Sequence, residues 1–386
     1  MARLVLVGAG HAHAQVLLDW VTRPVPGVEL VLISPSALAP YSGMVPGWLA
    51  GTYRFEDICI DFAALARAAG ARWVADEVLA FDADLLQFTL RSAGVLRGDL
   101  VSINIGSTLI APSLPSPEVS GTQMLALRPL GELRDAWEAL LARLADVPPD
   151  HVIDITAVGG GAAGVESLLA VRARLHALRP GRALHSRLLT RAAHLLPGMA
   201  QSAARRVEAV LAAAGVDVRT ATAFDENTAA AIAGGEGDGR GNGSRLKRTA
   251  LVLWATGAQA HAWPRLSTLS VSDAGFIHID AQLRCVSHPQ VFAVGDCAEW
   301  SAPLPKAGVF AVRMGPVLSH NLRASLGQGE LQTYHPQRRY LALLATADEQ
   351  AIGAWGPWSA RGRWVWRWKD HIDRAFLARF EVGDQN

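Results

Sequence analysis

Two glycine turns about 150 residues apart constrain this chain more than anything else in it. The first lies in "LVLVGAGHAH", residues 4–13, and the second in "HVIDITAVGGGAAGVESLLAVRARL", residues 151–175. Each follows an apolar strand and opens a helix. That is the strand–turn–helix start of a nucleotide-binding fold, and a doubled start is far more specific than a single one. The second turn, Gly159-Gly160-Gly161-Ala162-Ala163-Gly164, satisfies G-x-G-x-x-G. Gly159 permits the tight turn, Gly161 lets the backbone approach a pyrophosphate, and Gly164 allows close helix–strand packing. The helix that starts at Ala162 presents free amides and a positive dipole end to phosphate.

The first turn keeps Gly8 and Gly10, then carries His11, Ala12 and His13, with His13 where the third glycine is due. Gly8 and Gly10 retain the turn and the close approach. The His13 side chain is expected between helix and sheet, or turned toward a polar partner. His11, at the positive end of the helix, is expected neutral and able to face a cofactor.

The chain has 386 residues, half of them apolar, enough for two or three domains. Lys and Arg number 36 and Asp and Glu 35, a balance that gives no reason to expect nucleic acid. The three cysteines, Cys59, Cys285 and Cys297, show no C-x-x-C spacing, which reads as a reducing, cytoplasmic setting with incidental thiols. No metal-ligand pattern stands out. No apolar run reaches the roughly 18 residues of a membrane-spanning helix. The N-terminus reads as a first strand, not a signal peptide.

The fold class is α/β. After strand 3–7 come a helix near 11–21 and a buried strand 28–34, a βαβ unit of a parallel sheet. Residues 71–107 read as a strand, an antiparallel hairpin and a strand returning to the sheet. Residues 129–146 form an amphipathic helix on Leu133, Trp137, Leu140, Leu141 and Leu144. The second unit continues into a strand at 185–191. The Gly-rich stretch 234–248 reads as an exposed loop, and strands resume in "TALVLWATG" and "QVFAVGDCA". The acid expected to grip ribose after each second strand is replaced by Ser34 in the first unit and Thr190, beside Arg191, in the second. Arg191 either favours the extra phosphate of NADP or is a solvated surface arginine.

The two turns, "VLWATG" with Gly257 and "VFAVGDCAEW" with Gly295 and Asp296 together resemble the pyridine nucleotide-disulfide oxidoreductase superfamily over residues 1–325. "GAGHAHAQVL", "YSGMVPGWLAGTY", "INIGST" with Gly106, "PKAGVFAVR" and "WRWKDHIDRAF" look like a narrower branch. That branch resembles type II NADH dehydrogenases and sulfide:quinone reductases, and includes flavoproteins fused to selenide, water dikinase. The resemblance implies two Rossmann-like three-layer domains, the second inserted in the first, plus a small C-terminal α+β region. FAD would occupy residues 1–115 and 265–330, NAD(P)H residues 116–264, and a cap or interface residues 331–386. Gly8, Gly10 and the start of the first helix would hold the FAD pyrophosphate, with Ser34 by the adenosine ribose. Val78 would offer its backbone to adenine and Asp296 would bind the ribityl chain. Asp296 also suits a helix N-cap. Glu166 matches a glutamate near the flavin–nicotinamide contact, or else is a first-turn acid satisfying the helix dipole. Lys306 would stabilise negative charge on the reduced ring, or is a surface lysine. Tyr41 would cover the flavin face or pack.

Two departures stand out. Without paired cysteines a dithiol relay is not expected. The glutamines of the type II quinone pocket are replaced by Gly308 and Arg313 in that region. The tail alternates Trp with Arg and Lys. Trp364, Trp366 and Trp368 fall at period two, a strand signature whose face would pack on the flavin domain or self-associate. Trp with basic residues also suits a membrane interface. The expected activity is FAD-dependent NAD(P)H oxidation that passes electrons to a second small-molecule acceptor, a quinone among them. The alternative is a flavin-binding redox partner linked to selenium metabolism. A homodimer, contact with the inner face of the membrane and association with selenide, water dikinase are left open as partnerships.

Overall fold

The computed structural model describes residues 1–112, 122–148, 151–225, 228, 248–302 and 304–382. Its first half starts with β1 (Ala2–Val7), α1 (His11–Thr22), β2 (Val28–Ile33), β3 (Leu38–Pro40), α2 (Val45–Ala50), β4 (Cys59–Asp61) and α3 (Phe62–Ala68). There follow β5 (Arg72–Val74), β6 (Val78–Asp82), β7 (Gln87–Leu90), β8 (Val95–Arg97) and β9 (Leu100–Ile103). The second half of the architecture comprises β10 (Thr122–Ala126), α4 (Leu130–Ala145), β11 (Val152–Val158), α5 (Ala162–Leu178), β12 (Leu184–Leu189), α6 (Gln201–Ala213), β13 (Val216–Arg219) and β14 (Arg248–Trp254). The chain then adds α7 (Trp263–Leu266), β15 (Ile277–Ile279), β16 (Val291–Ala293), β17 (Ala298–Trp300) and α8 (Gly308–Ser325). It closes with β18 (Ala342–Ala345), β19 (Ala351–Trp355), β20 (Trp358–Gly362) and α9 (Arg363–Ala378).

Two five-stranded parallel sheets carry the molecule, ordered β16-β9-β1-β2-β5 and β10-β14-β11-β12-β13. The second sheet is built wholly from chain lying between β9 and β16 of the first, so one unit is inserted in the other. Leu4, Val5 and Leu6 of β1 are fully buried, as are Leu251, Val252 and Leu253 of β14. Such unbroken apolar strands need cover on both faces, and helices supply it. In α1 the covering residues are Ala12, His13, Ala14, Val16, Leu17 and Trp20.

Three features differ from the sequence reading. Residues 71–107 contain a three-stranded antiparallel meander, β6-β7-β8, and not a single hairpin. The Gly-rich stretch lies outside the described residues, apart from Arg248 at the start of β14. The Trp-rich segment forms the helix α9, not a strand. Its buried stripe is Val365, Lys369, Asp373 and Leu377, at i, i+4 spacing. Two of those four are charged, so the apolar pattern alone hides the helical period. Nor do the tryptophans fill a core: Trp355, Trp358, Trp364 and Trp368 are 48%, 77%, 59% and 43% exposed.

Candidate functional site

Both glycine turns form at the carboxyl end of a central strand. Gly8 and Gly159 have φ of +95° and +127°, the left-handed region that only glycine enters freely. A Cβ on Gly164 would overlap the Gly159 carbonyl, whereas one on Gly161 would meet nothing within 4 Å. The second turn therefore packs tightly at its third glycine and stays open at its second. Thr190 is buried against Gly160, and its hydroxyl accepts from the Ala192 amide at 3.3 Å.

The first turn solves the same problem differently. His13 is fully buried between α1 and β9. Its Nδ1 lies 2.7 Å from the Gly8 carbonyl and its Nε2 2.8 Å from Ser102 Oγ. A carbonyl can only accept, so Nδ1 carries the proton and Nε2 accepts from the serine. Burial pushes His13 down to about 4, against the hydrogen bond to Gly8. His11 is also held down to about 4 by burial, which outweighs the pull of Asp296. Loss of water thus keeps both imidazoles neutral. The space behind Gly10 is taken by Asn104. Asn104 Oδ1 accepts from the Ala12 amide at 3.1 Å, and its Nδ2 donates to the Val294 carbonyl at 2.9 Å. Gly10 is thus backed by a side chain on the sheet side, a role the fingerprint does not announce.

The other anticipated residues fall around these turns. Ser34 is buried and donates to the Ser36 carbonyl at 3.0 Å. Val78 begins β6, and Gly106, with φ +70°, leaves open space where a Cβ would be. Gly257 is exposed beyond β14. Gly295, with φ +73°, abuts the Asn104 amide. Asp296 is no N-cap: it sits within a short 3-10 turn whose cap is Val294. Arg128 Nη1 contacts it at 2.5 Å and also donates to Ser107. Lys306 is not a free surface lysine. Its ammonium donates to the Ala298 carbonyl at 2.6 Å and lies 3.7 Å over the Phe276 ring. Burial lowers its pKa, with Cys297 and Asp296 pulling the other way.

Glu166 is not a first-turn acid, since α5 has none. It accepts from the Ala345 amide of β18 at 2.7 Å, which ties the second nucleotide fold to the C-terminal region. Burial raises it to about 7, opposed by Lys369 and the Ala345 amide and reinforced by Asp373. Lys369 and Asp373, on the inner stripe of α9, form a buried pair at 2.6 Å, and Lys369 also donates to the Gly43 carbonyl at 2.5 Å. Tyr41 stands between the two regions: its ring is 5.3 Å from His11 and 4.7 Å from Phe376 of α9. Gly308 opens α8 against Ser42 of the same loop, and Arg313 is exposed. The residues Ser102, Asn104, Arg128, Lys369 and Asp373 were missed in the sequence reading. The signal available was polar residues at buried strand ends and an opposite-charge i, i+4 pair in "WKDHID".

The donor set fits dinucleotides. Both helix N-termini begin at glycine, carry no side-chain cap, and have no acid in the first turn. Anionic phosphate is favoured at such an end. Asp296 offers carboxylate oxygens to hydroxyls. Residues 2–316 match the family model described as pyridine nucleotide-disulphide oxidoreductase. The chain belongs to that family. As a member it is an FAD-dependent NAD(P)H oxidoreductase. It is 27% identical over 314 residues to an NADH dehydrogenase-like protein of Mycobacterium tuberculosis, covering 77% of this chain and 73% of that one. The fold matches the sulfide:quinone oxidoreductase of Aquifex aeolicus with TM-score 0.75 at 15% identity, over 98% of this chain and 91% of that one. It matches NDH2 of Plasmodium falciparum, solved with NADH, with TM-score 0.76 at 12% identity, over 98% and 97%. The family's disulphide chemistry has no dithiol here. All three cysteines are free, and burial pushes Cys297 up to about 11 and Cys59 up to about 12, so neither forms a ready thiolate.

Proposed function

We propose that this oxidoreductase takes electrons from NAD(P)H and delivers them to a quinone at the inner face of a membrane. The carrying observation is the two-faced helix α9. Its buried face brings Lys369 against the Tyr41 loop, and the charges of Lys369 and Asp373 act on Glu166. Its outer face exposes Trp364 and Trp368, stacked at 6.4 Å, and the hairpin before it exposes Trp355 and Trp358. Tryptophan with arginine on an exposed amphipathic helix suits the lipid interface. One helix, about 10 Å thick, would then separate lipid from the site. No described helix is long and apolar enough to cross a membrane, so contact would be peripheral.

In this reading residues 1–115 and 265–330 hold FAD, residues 116–264 hold NAD(P)H, and residues 331–386 form the cap. Gly8, Gly10, His11, Ala12 and His13 shape the FAD pyrophosphate turn. Ser34, Val78, Gly106, Gly295 and Asp296 line the rest of the FAD site, and Arg128 adds the positive charge that neutralises Asp296 before hydroxyls replace it. Gly159, Gly161, Ala162, Gly164, Thr190 and Gly257 frame the nicotinamide dinucleotide. Bound FAD would supply hydride acceptance from nicotinamide and electron transfer onward. The protein's part is orientation, exclusion of water and charge: Glu166 at the meeting of the folds, Lys306 as a nearby cation, and Tyr41 at the edge of the crevice.

The test is vesicle flotation with anionic lipid, combined with NADH oxidation using a lipid-embedded quinone. The Trp364→Ser/Trp368→Ser variant should keep flavin reduction by NADH and lose flotation together with most lipid-quinone turnover. Wild-type protein that stays off vesicles and reduces only water-soluble acceptors would sink the membrane reading. The alternative, a redox partner of selenide, water dikinase with little turnover of its own, is excluded by rapid multiple turnover with any quinone.

A further inference from the structure

The electron balance of the proposed reaction leaves one proton to be found. NAD(P)H gives up a hydride, which is two electrons and one proton. A quinone becomes a quinol by gaining two electrons and two protons. The second proton therefore comes from solvent, and a protein group beside the acceptor can relay it.

A buried proton-bearing cluster on α9 lies near the first glycine turn and is not taken up by cofactor binding. Lys369 Nζ and Asp373 Oδ2 are 2.6 Å apart, and both side chains are more than nine-tenths buried. The Tyr41 hydroxyl lies against Gly43, whose carbonyl takes the Lys369 ammonium, and burial with the nearby Asp373 carboxylate holds the phenol proton on. The Tyr41 ring packs in one cluster with His11 of the first turn and Phe376 of α9. Lys369 is itself anchored to Gly43, two residues along from Tyr41. One turn away, Asp370 accepts from Tyr53 at 2.6 Å and is 23% exposed, a connection toward solvent. A buried ion pair with its remaining donors satisfied is weak evidence for stability. It is well placed to hold a proton next to a hydroxyl.

We propose that Tyr41 is the proton donor of the acceptor half-reaction, and that the Lys369–Asp373 pair positions its hydroxyl and restores its proton. The inference rests on the reading that the acceptor meets the crevice beside this loop. As the acceptor oxygen gains its O–H bond, the Tyr41 O–H bond breaks. The tyrosine oxygen regains a proton from the pair, and the pair regains one from solvent. Tyr41 touches the acceptor, while Lys369 and Asp373 act through it as positioning residues. The groups facing Asp373 are Lys369 and Asp370 on its own helix, Tyr41 from the loop after β3, and Glu166 and Tyr53 through their shared field.

Acceptors that differ in proton demand provide the test. A short-chain quinone and dioxygen each take up two electrons and two protons; ferricyanide takes only electrons. Tyr41→Phe keeps the ring and removes the hydroxyl. It should slow reoxidation by quinone and by dioxygen roughly 100-fold, as loss of a general acid does. Whatever the variant does to flavin reduction, the ratio of its quinone rate to its ferricyanide rate should fall roughly 100-fold, because only the quinone needs the proton. Asp373→Asn should show the same split. Equal slowing with ferricyanide, or no slowing with the proton-requiring acceptors, overturns the proposal. Wild-type protein that reduces dioxygen and no quinone refutes the quinone reading alone, because the dioxygen rates of the variants still decide this one. A readout independent of turnover is the ultraviolet titration of tyrosinate. The Tyr41 signal, wild type minus Tyr41→Phe, should ionise at lower pH once Asp373→Asn removes the facing carboxylate. An unchanged titration overturns the coupling.

Discussion

The two glycine turns have the same backbone plan and opposite interiors. At the second, Gly164 lets helix α5 lie directly on the Gly159 carbonyl. At the first, an imidazole fills the equivalent gap, and Ser102, a small residue on β9, makes room for it. Close approach through a missing Cβ and close packing through a satisfied polar side chain are two answers to one steric demand. The first answer tolerates no substituent. The second depends on two hydrogen bonds and on a protonation state.

The sharpest way to break this comparison is Gly164→Val. Its side chain would meet backbone, which cannot swing away. We expect a loss of about 3 kcal/mol or more, read in urea unfolding, with NAD(P)H binding lost and FAD retained. A variant of wild-type stability that still binds NADH would show that the second turn does not need its third glycine.

Next comes His13→Gly, which rewrites the first turn in the form of the second. If glycine were the natural solution there, stability would rise. We expect a fall of roughly 2–4 kcal/mol, from a cavity and an orphaned Ser102 hydroxyl. The same histidine has a pH signature. Its pKa is about 4 when folded against 6.5 in the free side chain, so the unfolded chain binds more protons between those values. Its contribution is complete above pH 6.5 and is lost as pH falls toward 4. Glu166, raised from 4.5 to about 7, has the opposite sign: its contribution is present below pH 4.5 and lost as pH rises through 7. The stability-versus-pH curve of His13→Gly should therefore be flatter than wild type on the acid side. A curve of unchanged slope would show that His13 does not stay neutral in the fold.

The smallest effect expected is for Ser102→Ala, about 1–2 kcal/mol, because it leaves the buried His13 Nε2 without its partner. Thermal unfolding measures it. No change would mean that a water or another donor replaces the serine, and the first turn would be more forgiving than its geometry implies.

Much of the fold was legible because it is written in short-range pattern. Apolar runs at 3–7 and 151–158, each ending in a glycine turn, and the apolar run at 28–34 declare parallel strands before any contact is known. The roles of Gly159, Gly161 and Gly164 follow from spacing alone. What failed to read did so for identifiable reasons. In α9 the buried stripe contains Lys369 and Asp373, whose charges cancel against each other only in three dimensions, so an apolar-period reading sees a strand in the intervening tryptophans. Glu166 lies one residue too far along α5 to serve the helix dipole. It finds its partner in Ala345, 179 residues away.

The sequence by itself determined two nucleotide-fold starts, their order and the absence of a cysteine pair, because each depends on residues adjacent in the chain. Only the tertiary structure decided that His13 is buried between helix and sheet, that Asn104 backs Gly10, and that Tyr41 meets Phe376 of α9. Those assignments depend on which distant side chains share a buried volume, where loss of water forces every polar group to find a partner.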